Sequence, residues 1–329
     1  MFIMYYILTV KDFSMNKITI IGTGSVGSTI AYTLTTTGIA TEIVMIDVNE
    51  KKALGEALDI RQGVPFCGSC SIYAGSYADA KGSDIVIITS GVARKPGQTR
   101  LDLAQTNVDI LKTIIPKITK YAPEATYVIV SNPVDILTYT FCKCSDIPEE
   151  RIIGSGTILD TSRLRSRIAE YFTLSQQNVH AYVLGEHGDS SVIPWSTANI
   201  SNVPVLEYNK SFIRPGGIII PELNVQEVED YVRKSGARVI ERKGATFYAV
   251  SMSVCHICKC LLSGIDTTMT VSTMLHGEYG IDDVAMSLLT VVGHNGAHSK
   301  VMLPLTDAEI WALHKSAESL KSIIEYTKI

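Results

Sequence analysis

The sequence predicts an α/β chain, a doubly wound parallel sheet followed by an α+β half. Three observations carry this: strand and helix patterns alternate over the first half, a glycine-rich turn joins the first strand to the first helix, and the rhythm changes after about Gly154. Lys17 to Ile21 (KITII) is an apolar, β-branched run and reads as the first strand. It leads into Gly22-Thr23-Gly24-Ser25-Val26-Gly27, a helical pattern through Thr37, and a second strand, Ile43 to Ile46, that ends in Asp47. Gly22 permits the tight turn, Gly24 lets the backbone approach a pyrophosphate, and Gly27 lets the helix pack closely on the strand. The phosphates would sit at the helix N-terminus. Asp47 falls twenty residues after Gly27, where a carboxylate accepts hydrogen bonds from a ribose diol and repels an added 2′-phosphate. The motif therefore points to NAD rather than NADP.

Further strands are expected at Ile72 to Ala74, Asp84 to Thr89 and Thr126 to Val130, and helices from Lys51 to Gln62 and Leu101 to Tyr121. Pro116 is expected to kink or break the second helix. In such sheets ligands bind beyond the carboxyl ends of the strands, where Gly91 and Asn132 fall. After Gly154 come helical patterns at Asp160 to Phe172, Val225 to Arg242 and Asp307 to Lys328, with strand-rich stretches near Val179 to Leu184 and Trp195 to Val203. A loop around Asn209 to Pro221 holds Pro215-Gly216-Gly217. The expected division is a Rossmann-type NAD-binding domain over 15–154 and an α+β substrate-binding and catalytic domain over 155–329.

The 329 residues, 46% hydrophobic and 19% charged, suit a globular chain long enough for two domains. A formal net charge of −4, with no Lys/Arg cluster interleaved with aromatics, leaves no electrostatic footprint for nucleic acid. The opening run MFIMYYILTVKDFS lacks a basic n-region and a small-residue cleavage site and is too short to span a bilayer. It reads as an extension or upstream start, and the chain as cytoplasmic without a membrane partner. Seven cysteines cluster at Cys67 and Cys70, at Cys142 and Cys144, and at Cys255, Cys258 and Cys260 beside His256. The CxxC pairs stand alone and the last group lies in an apolar helical stretch, so free thiols in a reducing compartment are expected and no metal site.

The chemistry concentrates in two segments. His187 lies in Gly185-Glu186-His187-Gly188-Asp189, a short way after Leu159-Asp160-Thr161-Ser162-Arg163. Asp160 and Arg163, three apart, share one face if their stretch is helical. An imidazole titrates near neutral pH, a carboxylate on its other nitrogen fixes the tautomer, and a guanidinium fork matches a carboxylate. Taken singly these residues would read as a helix cap, a solvated charge and a loop histidine. Together they suit proton transfer at a hydroxyl-bearing carbon next to a carboxylate.

In ordered motifs the chain resembles the L-lactate and malate dehydrogenase family, nearest its bacterial L-lactate branch. The motifs are GTGSVG at Gly22 to Gly27, GVARKPGQTR at Gly91 to Arg100, VSNPVD at Val130 to Asp135, LDTSRLR at Leu159 to Arg165 and GEHGDS at Gly185 to Ser190. The resemblance implies His187 as general acid/base, Asp160 as its partner, Arg163 as grip for the substrate carboxylate, and Arg100 as the group that polarises the carbonyl. Asn132 would hydrogen-bond the same region. Gly22, Gly24, Val26, Gly27, Asp47, Lys52, Tyr77, Gly91, Val92, Asn132 and Ser155 fall where the family contacts NAD. A loop from Gly91 to Leu103 would close over a small 2-oxo or 2-hydroxy acid.

Substrate choice is divided within the chain. Arg94 stands where lactate enzymes of the family place glutamine and malate enzymes arginine. Thr246 in KGATFY matches the lactate-type wall, and Arg165 with His180 matches the pair that binds fructose 1,6-bisphosphate in bacterial lactate enzymes, although both cations suit a solvated surface equally. The reading adopted is an L-lactate dehydrogenase of glycolysis and fermentation, allosteric and homotetrameric as the resemblance implies. Malate oxidation is the alternative because of Arg94, and a catalytically silent nucleotide-binding protein the remote one.

Overall fold

The computed structural model describes residues 16–92, 100–211 and 222–329, the side chain of Arg100 excepted. Short apolar runs bounded by turns form strands buried on both faces, as parallel sheets require. The order begins β1 (Lys17–Ile21), α1 (Ser25–Thr37), β2 (Glu42–Ile46), α2 (Glu50–Gly63), β3 (Ser71–Ala74) and β4 (Ile85–Ile88). It continues α3 (Arg100–Tyr121), β5 (Thr126–Ile129), α4 (Val134–Cys144), β6 (Ile152–Gly154) and α5 (Ile158–Phe172). Then come β7 (Val179–His180), β8 (Asn199–Ile200), β9 (Val203–Pro204), α6 (Tyr208–Ser211), α7 (Val225–Lys243) and α8 (Tyr248–Leu261). The described chain closes with β10 (Thr267–His276), β11 (Asp282–Gly293), β12 (Gly296–Lys300) and α9 (Asp307–Tyr326).

Hydrogen bonding orders the main sheet β12-β11-β10-β6-β5-β4-β1-β2-β3, beside a small β7-β8-β9 sheet. From β3 to β6 all pairings are parallel, giving the doubly wound order of a Rossmann sheet. Successive side chains of β4 serve two cores. Ile85 and Ile87 pack with Ile30, Leu34, Val254 and Ile257 of α1 and α8, whereas Val86 and Ile88 pack with Val108, Leu111 and Ile115 of α3 and Ile136 of α4. A third core joins Leu164, Ile168 and Phe172 of α5 to Val228 and Val232 of α7 and Val179 of β7. The neighbouring strands β1 and β4 mark the point where the strand order reverses, and Gly22 and Gly91 lie just past their carboxyl ends.

Four features depart from the sequence-based expectations. Pro116 does not break the helix, since α3 runs through it. Both Pro116 and Lys112, whose carbonyl loses its helical donor, are exposed residues, a setting in which the break in the ladder is least costly. The stretches near Val179 and Trp195 are mostly irregular, with only the short β7, β8 and β9 and a bridge between Leu184 and Val192. Their main-chain groups bond side chains instead: Val183 N–H donates to Thr161 Oγ1 at 2.9 Å, Val183 O accepts from Thr157 Oγ1, and His187 N–H donates to Asp135. The long β10–β11 hairpin, unanticipated, lies antiparallel beside β6 and continues the first half's sheet into the second half. Within the expected loop, Tyr208–Ser211 forms α6, and 212–221 lie outside the described residues.

Candidate active site

Asp160 enters in the first turn of α5, where the helix dipole favours a negative charge. Its two oxygens are divided between two partners. Oδ2 accepts from His187 Nδ1 at 2.6 Å, and Oδ1 accepts from Arg163 Nη1 at 2.8 Å. Burial alone would raise the Asp160 pKa, but the neighbouring His187 and Arg163 hold it below its ordinary value. Burial would likewise lower the His187 pKa, yet the charge and hydrogen bond of Asp160, with a contribution from Asp135, raise it above the ordinary histidine value. With Nδ1 committed to Asp160, Nε2 is the nitrogen left to exchange a proton. The ring is 27% exposed, enough to meet a small molecule.

These groups line a cavity of about 310 Å³ together with Asn132, Ser155, Asp189, Arg233, Gly236, Ala237, Ile240 and Thr246. Asn132, Ser155, Arg163, His187 and Thr246 are thus brought together as the sequence suggested. The Asn132–Pro133 peptide is cis. A larger cavity of about 840 Å³ opens among the amino-terminal ends of β4, β5 and β6. The smaller one holds the paired imidazole and the arginine at the carboxyl ends, where open α/β sheets bind ligands.

Three residues important to this geometry had no role assigned from sequence. Asp135, in the first turn of α4, is 2% exposed and accepts the His187 N–H through Oδ2 at 2.8 Å. Burial pushes its pKa up to about 6, against the lowering contributions of Ser272 and His187. Asn107, buried on α3, accepts from Val92 N–H at 2.9 Å and donates to the carbonyls of Val92 (3.2 Å) and Asn132 (2.7 Å). It ties the base of the Gly91 segment to the Asn132 corner. Arg233 of α7 donates to Ser191 O and pairs with Glu229, both at 3.1 Å, on the cavity wall. The available signal for Asn107 and Asp135 was a polar residue among apolar ones on an amphipathic helix.

The glycine turn fits a dinucleotide. A Cβ on Gly27 would overlap the Gly22 carbonyl and lie 2.7 Å from Thr89 Oγ1, so only glycine lets α1 sit this close to β1. A Cβ on Gly24 would meet nothing within 4 Å. Gly24 is also the N-cap of α1, which no side chain caps and whose first turn carries no acid, leaving its N–H groups available to a phosphate. At the end of β2, Asp47 accepts from Thr23 N–H at 2.6 Å and Asn49 N–H at 2.9 Å. Burial opposes its ionisation, but these hydrogen bonds and the charge of Lys52 leave its pKa lowered. Val26 lies on α1, Val92 is exposed beside Gly91, and Tyr77 sits beyond β3 with Lys117 Nζ 5.9 Å from its ring centre.

Arg94 lies outside the described residues, and Arg100 is placed only as the first residue of α3. Arg165 lines a separate cavity of about 480 Å³, where Nε donates to Ala181 O at 3.0 Å and the guanidinium lies 5.0 Å from the Tyr182 ring centre. His180, next to Ala181 on β7, is exposed. All seven cysteines are free, and burial raises the pKa of Cys142 and Cys255 to about 12. Among the described residues no group of three or more His, Cys, Asp or Glu could hold a metal, and no helix is long and apolar enough to cross a membrane.

Comparison with known proteins agrees with this geometry. Residues 16–154 match the NAD-binding domain of lactate/malate dehydrogenases, and residues 157–328 match the alpha/beta C-terminal domain of the same proteins. The L-lactate dehydrogenase of Thermoanaerobacter sp. (strain X514) is 46% identical over 311 residues, covering 94% of this chain and 99% of the relative. That of Acetivibrio thermocellus is 43% identical, covering 94% of this chain and 97% of its own. Among solved structures, the minor L-lactate dehydrogenase of Enterococcus mundtii, in a ligands-bound form, superposes with a TM-score of 0.90 at 38% identity, covering 95% of this chain and 99% of the other. With a turn shaped for NAD, a carboxylate-bound imidazole beside an arginine, and both domain matches running nearly end to end, the chain belongs to the lactate/malate dehydrogenase family.

Proposed function

We propose that the protein is an NAD-dependent L-lactate dehydrogenase that interconverts pyruvate and L-lactate. The observation that carries this reading is the sharing of Asp160 between His187 and Arg163. The nicotinamide, when bound, supplies or accepts the hydride. Arg163 receives the substrate carboxylate through its planar fork, which fixes the 2-oxo carbon near the imidazole. His187, kept protonated by Asp160, donates the Nε2 proton to the forming alkoxide; in the reverse direction the neutral ring takes it back. Arg100 and Asn132 are assigned to the substrate oxygen, where charge develops. Gly22, Gly24 and Gly27 form the bed for the pyrophosphate, Asp47 takes the adenosine ribose, and Val26, Lys52, Tyr77, Gly91, Val92 and Ser155 complete the NAD contacts. Thr246 walls the substrate side.

The division of labour we assign is NAD binding to 15–154 and substrate binding to 155–329, with the β10–β11 hairpin binding the halves into one sheet. Lactate is preferred to malate because the relatives described above are named for lactate; Arg94 is the one residue that speaks for oxaloacetate. We further assign Arg165 and His180 to an anion site for fructose 1,6-bisphosphate in a cytoplasmic homotetramer. The proximity of Arg165 to the residue after His180 supports their acting together.

The test is an NADH absorbance assay with His187→Asn as control. The variant should bind NADH and lose turnover, and near-wild-type turnover would remove the assignment. Wild-type efficiency on pyruvate should exceed that on oxaloacetate, and sensitivity to fructose 1,6-bisphosphate should vanish with Arg165→Ala. A preference for oxaloacetate beyond about tenfold, roughly 1.4 kcal/mol, would reverse the substrate choice.

A further inference from the structure

The Asp135 carboxyl lies beneath the catalytic loop and does not line the substrate cavity. It follows Asn132 by three residues and Pro133, the N-cap of α4, by two, so the entry into α4 places a cavity residue and this buried acid side by side in the chain. One oxygen, Oδ2, is engaged by the His187 N–H at 2.8 Å, and Oδ1 has no hydrogen-bond partner among the described residues. From β10 the fully buried Ser272 hydroxyl faces the carboxyl without reaching hydrogen-bond geometry. The ionisable neighbours acting on Asp135 are His187, which favours its charge, and Glu186, which opposes it. A half-satisfied buried carboxyl is costly to fold around. Its field falls on the one imidazole that the chemistry uses.

We propose that Asp135 is a positioning residue for His187, a second carboxyl that fixes the main chain carrying the imidazole and, by its charge, helps Asp160 keep that ring protonated. The proposal rests on His187 being the proton donor. Asp160 sets orientation through the ring itself, whereas Asp135 acts from behind through the backbone N–H. The two contributions are therefore separable. That Asp135 raises the proton affinity of His187 agrees with the direction of the His187 shift.

The decisive variant is Asp135→Asn, which keeps an oxygen for the His187 N–H and offers an amide donor to the Ser272 hydroxyl. NADH binding by fluorescence should stay within about twofold of wild type. The alkaline limb of kcat/KM for pyruvate reduction should move down by about half to one pH unit, a loss of about three- to tenfold beyond that limb. Lactate oxidation on the acid side should rise by a similar factor, because the neutral ring becomes more abundant. An unmoved limb in the folded variant, or an equal loss in both directions at every pH, would overturn the proposal. A second measurement needs no variant: in the wild-type NADH complex, the His187 ring resonance should titrate with a smaller second inflection on its acid side. A single-step titration would overturn the proposal whether or not Asp135→Asn folds. Turnover retained by His187→Asn would instead remove the reading of His187 itself, so the two failures are distinct.

Discussion

Replacing Asp160 with asparagine tests the core of the proposed mechanism. The carboxylate serves two cations at once, 2.6 Å from His187 Nδ1 and 2.8 Å from Arg163 Nη1, and an amide has one acceptor oxygen for the two. If that oxygen keeps His187, the amide nitrogen confronts Arg163; if it turns to Arg163, the amide N–H groups confront a protonated ring. Without the carboxylate, burial, the largest single influence on His187, is no longer outweighed and drives its pKa down. A hydrogen bond to a charged group contributes about 1.5–3 kcal/mol. At 1.36 kcal/mol per pKa unit this moves the alkaline limb for pyruvate reduction down by about one to two units. Above the shifted limb, kcat/KM should fall by about 10- to 100-fold, with partial recovery as the pH is lowered. Steady-state NADH oxidation across pH, with NADH affinity measured by fluorescence as a control for folding, reads this directly. A limb within about 0.3 unit of wild type, together with efficiency within about threefold, would refute the assignment of Asp160 as the group that charges His187.

Two further perturbations separate structure from binding. Gly27→Ala forces a methyl group onto the Gly22 carbonyl and should lower thermal stability by about 1–3 kcal/mol. Gly24→Ala, whose Cβ meets nothing within 4 Å, should melt like wild type but bind NADH at least about tenfold more weakly, because the methyl occupies the approach to the pyrophosphate. Identical behaviour of the two variants in calorimetry and NADH titration would break the reading of the turn. Asp135→Asn should stabilise the fold at neutral pH: with its folded pKa raised to about 6 from 3.8, the folded chain binds the proton more tightly than the unfolded one. Stability is therefore lost as pH rises through that window, by an order of about 1–3 kcal/mol, and the variant escapes that loss. Urea unfolding should show little difference from wild type below the lower pKa, an advantage that grows between the two values and a level advantage above the upper one; an advantage that does not change with pH would contradict it.

The sequence made the first half of the fold readable because its signals are local. KITII, the glycine turn and Asp47 lie within one strand, one helix and the next strand, and each residue type is required by its immediate neighbours. The grouping proposed as catalytic was legible for a different reason: histidine, aspartate and arginine in that combination have few purely structural uses, and α5 brings Asp160 and Arg163 to one face. What escaped was set by contacts distant in sequence. The β10–β11 hairpin joins the sheet through a single pairing of Ser272 with Gly154, far apart along the chain. The irregular path before His187 follows from side chains of α4 and α5 capturing its main-chain groups, which no periodicity in that stretch records. Pro116 was expected to kink or break its helix; α3 runs through it, and the carbonyl that loses its donor belongs to the exposed Lys112.

The division of one carboxylate between an imidazole and a guanidinium also joins two equilibria. In the proposed mechanism an incoming carboxylate would compete for the Arg163 fork and draw it from Asp160, leaving more of that negative charge for His187. Anion capture and proton capture thus strengthen one another, and linkage requires the favour to be returned: a protonated ring raises the affinity for the anion by the same factor that the anion raises the affinity for the proton. On that proposal the site would arm itself for reduction when an acid of the right shape arrives, and product departure would relax the ring toward the form that awaits the reverse reaction.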